Sequence, residues 1–148
     1  MRIIEWEDKV MILKRKIYDK LLKWKQETNG EKAILIEGAR RIGKSTIAQE
    51  FAKNEYDSYI LIDFAKKDKE VELYFEKFLN DMNTLFMMLQ AHFGVQLQKR
   101  KSVIIFDEVQ MFPQARAAIK YLVADGRYDY IETGSLISIK ENVKNIVI

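Results

Sequence analysis

The residues with the clearest chemical capacity lie between Gly38 and Ser45, where the sequence reads Gly-Ala-Arg-Arg-Ile-Gly-Lys-Ser. Glycines at both ends of this loop let backbone N–H groups turn inward around an anion. Lys44 supplies a mobile positive charge for phosphate, and the hydroxyl of Ser45 is a ligand for Mg²⁺. The pattern matches a phosphate-binding loop at every required position. The predicted phosphate-contacting residues are Gly38, Ala39, Arg40, Arg41, Ile42, Gly43, Lys44, Ser45 and Thr46.

A second set of reactive side chains is the acidic pair Asp107 and Glu108, which follows the apolar run 102–106. Neighbouring side chains at a strand end point in different directions, so one carboxylate can face a metal and the other an attacking water. Without a phosphate loop, such a pair would be interpreted as an ordinary solvated strand end. With the loop, we predict that Ser45 and Asp107 hold Mg²⁺. Glu108, as general base, and Lys44 are the predicted catalytic residues.

Continuous apolar runs separated by helical patterns must position these side chains. The runs 33–36, 59–63, 102–106 and 128–132 predict four buried strands. Helical patterns cover 46–52, 68–93 in two pieces broken near 80–81, and 113–123. This alternation indicates an α/β fold with three layers, in which a mainly parallel sheet carries helices on both faces. In such sheets ligands bind beyond the carboxyl ends of the strands, where the loop and the acidic pair both fall.

The segment before the first strand predicts an amphipathic helix over residues 10–25. Its apolar residues recur at spacings of three and four. Residues 9–25 contain seven basic side chains and a single acid, Asp19. We interpret the stripe as the face that docks on the sheet and the charges as the solvent face. Arg15 and Tyr18 remain available to contact adenine. The expected organisation is a leading helix at 1–30 packed on a core at 31–148, within one domain.

Composition narrows the class of protein further. The 148 residues include no cysteine, which excludes a disulfide scaffold, a thiolate zinc site and cysteine catalysis. The longest apolar run, 85–89, is far shorter than the roughly 18 residues needed to span a bilayer. The first residues contain acids where a signal peptide needs an apolar stretch. We therefore expect a cytoplasmic protein with no membrane partner.

Three segments together resemble prokaryotic AAA-type ATPase domains, in the branch with a G-x-R-R-x-G-K-[ST] loop and a T-G-S strand end. They are 35–45, 104–110 and 130–135. Residues 14–21 are also similar to the leading helix of that branch, and the likeness extends over about residues 12–140. The resemblance implies ATP binding and Mg²⁺-dependent hydrolysis. It also implies that the T-G-S strand lies between the phosphate-loop strand and the acidic-pair strand. Thr133 or Ser135 would then be a polar sensor near the γ-phosphate.

The sequence departs from this branch at its end. Members usually continue into another strand, a helical lid and a C-terminal domain, whereas the sequence stops at Ile148. We therefore expect the last strand and the lid to be missing, and the phosphate-loop strand to be a sheet edge. Hydrolysis should be weak without an arginine finger, for which Arg116 and Arg127 are candidates by composition only. A homo-oligomer and a protein or nucleic-acid target stay open.

Two other functions are compatible with a phosphate loop. A non-hydrolysing nucleotide-binding module would keep the loop without the catalytic step. A P-loop small-molecule kinase would need an arginine-rich lid, and the segment after Tyr128 contains none. The guanine-reading pattern Asn-Lys-x-Asp does not occur, which favours ATP over GTP.

Overall fold

A computed structural model describes residues 3–38, 43–134 and 145–147 of the chain. Within these ranges it contains five helices and five strands. The helices are α1 (Ile3–Thr28), α2 (Lys44–Glu55), α3 (Lys69–Lys77), α4 (Met82–Phe93) and α5 (Pro113–Asp125). The strands are β1 (Ala33–Glu37), β2 (Ser58–Asp63), β3 (Ser102–Asp107), β4 (Asp129–Gly134) and β5 (Asn145–Val147). Single 3-10 turns follow β2 (Phe64–Lys66) and β3 (Val109–Met111).

All described strand pairs are parallel, in the order β2-β3-β4-β1-β5. The strand that ends on Thr133 and Gly134 lies between β1 and β3, as the resemblance implied. The predicted absence of a last strand was wrong. β5 pairs with β1, Ile34 lying opposite Ile146, so the phosphate-loop strand is not a sheet edge. A three-residue strand is too short to produce a periodic apolar signal, which is why the pattern did not predict it.

Helices cover both faces of the sheet, which confirms the three-layer α/β prediction. On one face, strand residues such as Ile34 and Ile105 pack with α1 and α2. On the other face, Phe106 and its neighbours pack with α3, α4 and α5. The helical pattern is broken at 80–81 because a new helix, α4, begins there with Asp81 as its N-cap. The Asp81 carboxylate accepts hydrogen bonds from the backbone N–H and the hydroxyl of Thr84.

The leading helix α1 is fixed by the later part of the predicted apolar stripe, whereas Leu13, in its earlier part, is 39% exposed. Ile17, Leu21 and Trp24 are buried against the sheet and α2. The indole N–H of Trp24 donates to the carbonyl of Lys32 at 2.7 Å, which ties the end of the helix to the start of β1. None of the described helices combines the length and the apolar character needed to cross a membrane.

The amino ends of the strands carry a closed polar network around Asp129. Arg100 donates to one carboxylate oxygen and the Tyr56 hydroxyl to the other, both at 2.6 Å. Burial raises the pKa of Tyr56, and the neighbouring Asp129 charge adds to the effect. These polar groups bind one another and join the segments that precede β2 and β3 to the first residue of β4. The carboxyl ends of the strands, described below, border an open cavity.

Candidate functional site

An open cavity of about 350 Å³ lies at the carboxyl ends of the parallel strands. The phosphate loop, the start of α2 and the acidic pair meet here because β1 and β3 end at the same edge of the sheet. We call it the edge cavity. Its lining residues are Gly43, Lys44, Ser45, Thr46, Asp63, Ala65, Asp107 and Glu108.

Two glycines give the phosphate loop its described shape. Gly38 has φ 142° and Gly43 has φ 71°, values that favour glycine over residues with a Cβ. Gly38 donates its backbone N–H to the carbonyl of Gly134 at 3.3 Å, which joins the loop to the end of β4. α2 begins directly after Gly43, so the unpaired N–H groups of its first turn can bind an anion. The predicted contacts at 39–42 lie outside the described residues.

Lys44 bridges the loop. Its side chain is buried, with 2% of the residue exposed, and Nζ donates to the carbonyl oxygen of Gly38 at 2.8 Å. A neutral carbonyl compensates a buried ammonium only in part, since a buried charge is best paired with an opposite charge. A phosphate oxygen would be a stronger partner than Gly38, because charge-assisted hydrogen bonds are about twice as strong as neutral ones.

Ser45 and Thr133 bind the same carboxylate oxygen of Asp107. The Ser45 hydroxyl donates to Oδ1 at 2.6 Å and the Thr133 hydroxyl donates to it at 2.5 Å. A serine hydroxyl beside a carboxylate fits Mg²⁺, which prefers oxygen ligands and is usually held by one or two carboxylates plus substrate phosphates. No group of three or more metal-ligating His, Asp or Glu side chains occurs in the described ranges. Mg²⁺ held by Ser45 and Asp107 would complete its shell with phosphate and water.

Glu108 is held by two hydrogen bonds. Its backbone is in the left-handed region, with φ 52°, and its N–H donates to the Thr133 hydroxyl at 3.0 Å. The amide Nε2 of Gln110 donates to the Glu108 carboxylate at 2.7 Å. The left-handed backbone costs a non-glycine residue roughly 1–2 kcal/mol. These contacts hold a half-buried carboxylate at the wall of the edge cavity.

Two residues of this site were missed by the sequence analysis. Asp63 lines the edge cavity opposite Asp107 in the β2–β3 register. It ends an apolar run, so the strand-end rule that identified Asp107 could have identified it. No sequence pattern indicates Gln110, because only the turn after Glu108 brings the Gln110 amide next to the Glu108 carboxylate. The predicted sensor Ser135 lies outside the described residues, whereas Thr133 is fully buried in β4, where its hydroxyl contacts Asp107 and Glu108.

The two arginines considered from composition are engaged elsewhere. Arg116 donates to the buried carboxylate of Glu132 at 2.8 Å and is itself mostly buried. Arg127 pairs with Asp125 and lies over the ring of Phe86. Neither lines the edge cavity in the described part of the chain.

Comparison with known proteins gives one assignment. A search of curated proteins found no match to this chain. A family model described as an AAA domain matches residues 30–145, which is most of the chain and includes the loop, the acidic pair and strands β1 to β4. With this match and a parallel sheet carrying its phosphate loop after β1, the chain belongs to the AAA domain family, whose function is of the nucleotide-binding ATPase type.

Proposed function

We propose that this protein binds ATP at the edge cavity and hydrolyses it with Mg²⁺. The observation that supports this most is the 2.6 Å hydrogen bond between Ser45 and Asp107, formed beside the buried Lys44. This contact joins the phosphate loop to the acidic strand end. A loop that only turned the chain at the surface would have no need of a carboxylate from a distant strand.

In the proposed complex the loop binds the phosphate chain. The N–H groups at the start of α2 and the ammonium of Lys44 contact phosphate oxygens, and Lys44 releases the carbonyl of Gly38 to do so. Ser45 and Asp107 would hold Mg²⁺, which when bound neutralises charge on the β- and γ-phosphates. Thr133 keeps Asp107 oriented through its hydrogen bond to Oδ1.

The proposed hydrolytic step places Glu108 as general base. A water oxygen forms a bond to the γ-phosphorus as the bond from that phosphorus to the β–γ bridging oxygen breaks. Glu108 accepts the proton that the water loses, and ADP leaves with the bonding electron pair. Orthophosphate and ADP are the products. Glu108 suits this role because it borders the cavity and because Gln110 fixes its carboxylate.

Gln110 should therefore matter for catalysis more than for binding. We expect Gln110→Ala to lower kcat for ATP hydrolysis by about tenfold, because a misplaced base loses part of its typical 10²–10⁴-fold contribution. The affinity for ATP should stay within about twofold, since Gln110 is not proposed to contact phosphate. Steady-state kinetics and ATP titration check both quantities. A rise in KM with unchanged kcat would contradict the positioning role.

Phosphate release from ATP, measured with and without EDTA, tests the proposed function itself. We expect orthophosphate to accumulate with Mg²⁺ and to stop when EDTA removes the metal. Tight ATP binding without phosphate release would instead favour a non-hydrolysing nucleotide-binding module. Radiolabel moving from γ-labelled ATP to a hydroxyl acceptor, rather than to free phosphate, would favour a small-molecule kinase.

A further inference from the structure

A lysine from the leading helix reaches the phosphate loop. A Cβ placed on Gly43 would lie 3.6 Å from Cε of Lys14 and 3.9 Å from its Nζ. Lys14 is thus next to the residue that precedes α2, on the side that α1 covers. The loop motif does not contain this lysine, and nothing in the spacing of residues 38–45 indicates it.

The position of Lys14 follows from how α1 is anchored. Lys14 precedes the buried Ile17 by three residues, so the two side chains lie on neighbouring positions of one helix face. The hydroxyl of Tyr18 donates to Glu55 at 2.9 Å and accepts from Asn54 at 3.1 Å, which ties α1 to the end of α2. These contacts fix the helix that brings the ammonium to Gly43.

The charges around this ammonium leave a place for an anion. The start of α2 carries the partial positive charge of a helix N-terminus, and Lys44 adds a full positive charge at the same loop. Asp19 and Glu50 line the same groove as Lys14, but no Asp or Glu among the described residues forms an ion pair with it. Lys14 is half-buried and lines an open groove of about 580 Å³ between α1 and α2, so a ligand can reach it.

We propose that Lys14 is a second lysine of the nucleotide site, and that its ammonium binds the phosphate chain from the α1 side of the loop. This inference rests on the proposed binding of ATP at the phosphate loop. It makes α1 part of the binding site as well as part of the fold. Lys44 and Lys14 would then both bind the phosphate chain, from two sides of Gly43.

Affinities of the Lys14→Ala variant for Mg-ATP and for inorganic tripolyphosphate, measured by calorimetric titration, test the inference. We expect both affinities to fall by about tenfold, the effect of losing one charge-assisted hydrogen bond at a partly exposed site. Lys14→Arg should restore most of the affinity because it keeps the charge. Lys16→Ala, an exposed lysine of the same helix, is the matched control and should change each affinity by less than about twofold.

The outcomes separate this inference from the proposed function. If wild type binds ATP while Lys14→Ala and Lys16→Ala bind equally well, Lys14 has no role in the site. If Lys14→Ala weakens ATP but not tripolyphosphate, the lysine acts on the nucleoside, and the phosphate contact is overturned. If wild type binds neither probe, the proposed function fails first and this inference fails with it. Thermal unfolding of both variants should match wild type, since a half-buried lysine without an ion pair adds little stability.

Discussion

Replacing Glu108 with Gln will lower the rate of ATP hydrolysis by at least about 100-fold, the lower end of what a positioned general base contributes. Glutamine keeps the size of glutamate and can still accept the hydrogen bond from Gln110, so the local geometry is retained. It cannot accept the proton of the attacking water. ATP should still bind with near wild-type affinity. Phosphate release at saturating ATP, together with an ATP titration, measures both effects.

The control for this substitution is Glu76→Gln, which makes the same change at an exposed position of α3. It should hydrolyse ATP at the wild-type rate. Wild-type hydrolysis by Glu108→Gln would show that another group activates the water. Asp63 would be the first carboxylate to examine, because it lines the same cavity and lies opposite Asp107 in the sheet.

The second large effect is expected at Lys44. Lys44→Ala should weaken ATP binding by about 100-fold, because hydrogen bonds to charged groups contribute about 1.5–3 kcal/mol. The free energy of unfolding without nucleotide should change little or rise, since the buried ammonium is paired only with the carbonyl of Gly38. Calorimetric titration gives the affinity. A thermal shift assay should show that ATP stabilises wild type but not the variant at the same concentration.

Lys53→Ala provides the matched comparison, because Lys53 is an exposed lysine on the same helix. It should bind ATP like wild type and show the same ATP-dependent shift. Equal ATP affinities for Lys44→Ala and Lys53→Ala would contradict the phosphate-binding role of Lys44. A large loss of stability without nucleotide in Lys44→Ala alone would indicate that the Gly38 contact is structural.

The sequence predicted the layers of this fold because its central strands are buried on both faces. Such strands appear in the sequence as unbroken apolar runs, as in 102–106. An exposed helix would instead have polar residues within the run. The same rule placed the phosphate loop and Asp107 at one edge of the sheet. The place of β4 between β1 and β3 came from the resemblance, since no periodicity encodes strand order.

The features that the sequence did not predict depend on contacts between distant parts of the chain. β5 is too short for a pattern, and its pairing with β1 requires the chain to return to the sheet after β4. Gln110 reaches Glu108 only because of the left-handed backbone at Glu108. Lys14 approaches Gly43 only because α1 packs on α2 at one particular position. Each of these is set by packing geometry, which a linear pattern does not contain.

The most direct test of the account is an amide NMR spectrum of the protein titrated with Mg-ATP. The N–H signals of Gly43, Lys44 and Ser45 should shift most, with smaller shifts at Asp107 and Glu108. Signals from residues at the amino ends of the strands, such as Asp129, should not shift. Shifts confined to the amino ends of the strands, or no shifts at saturating ATP, would contradict a nucleotide site at the carboxyl ends of the strands.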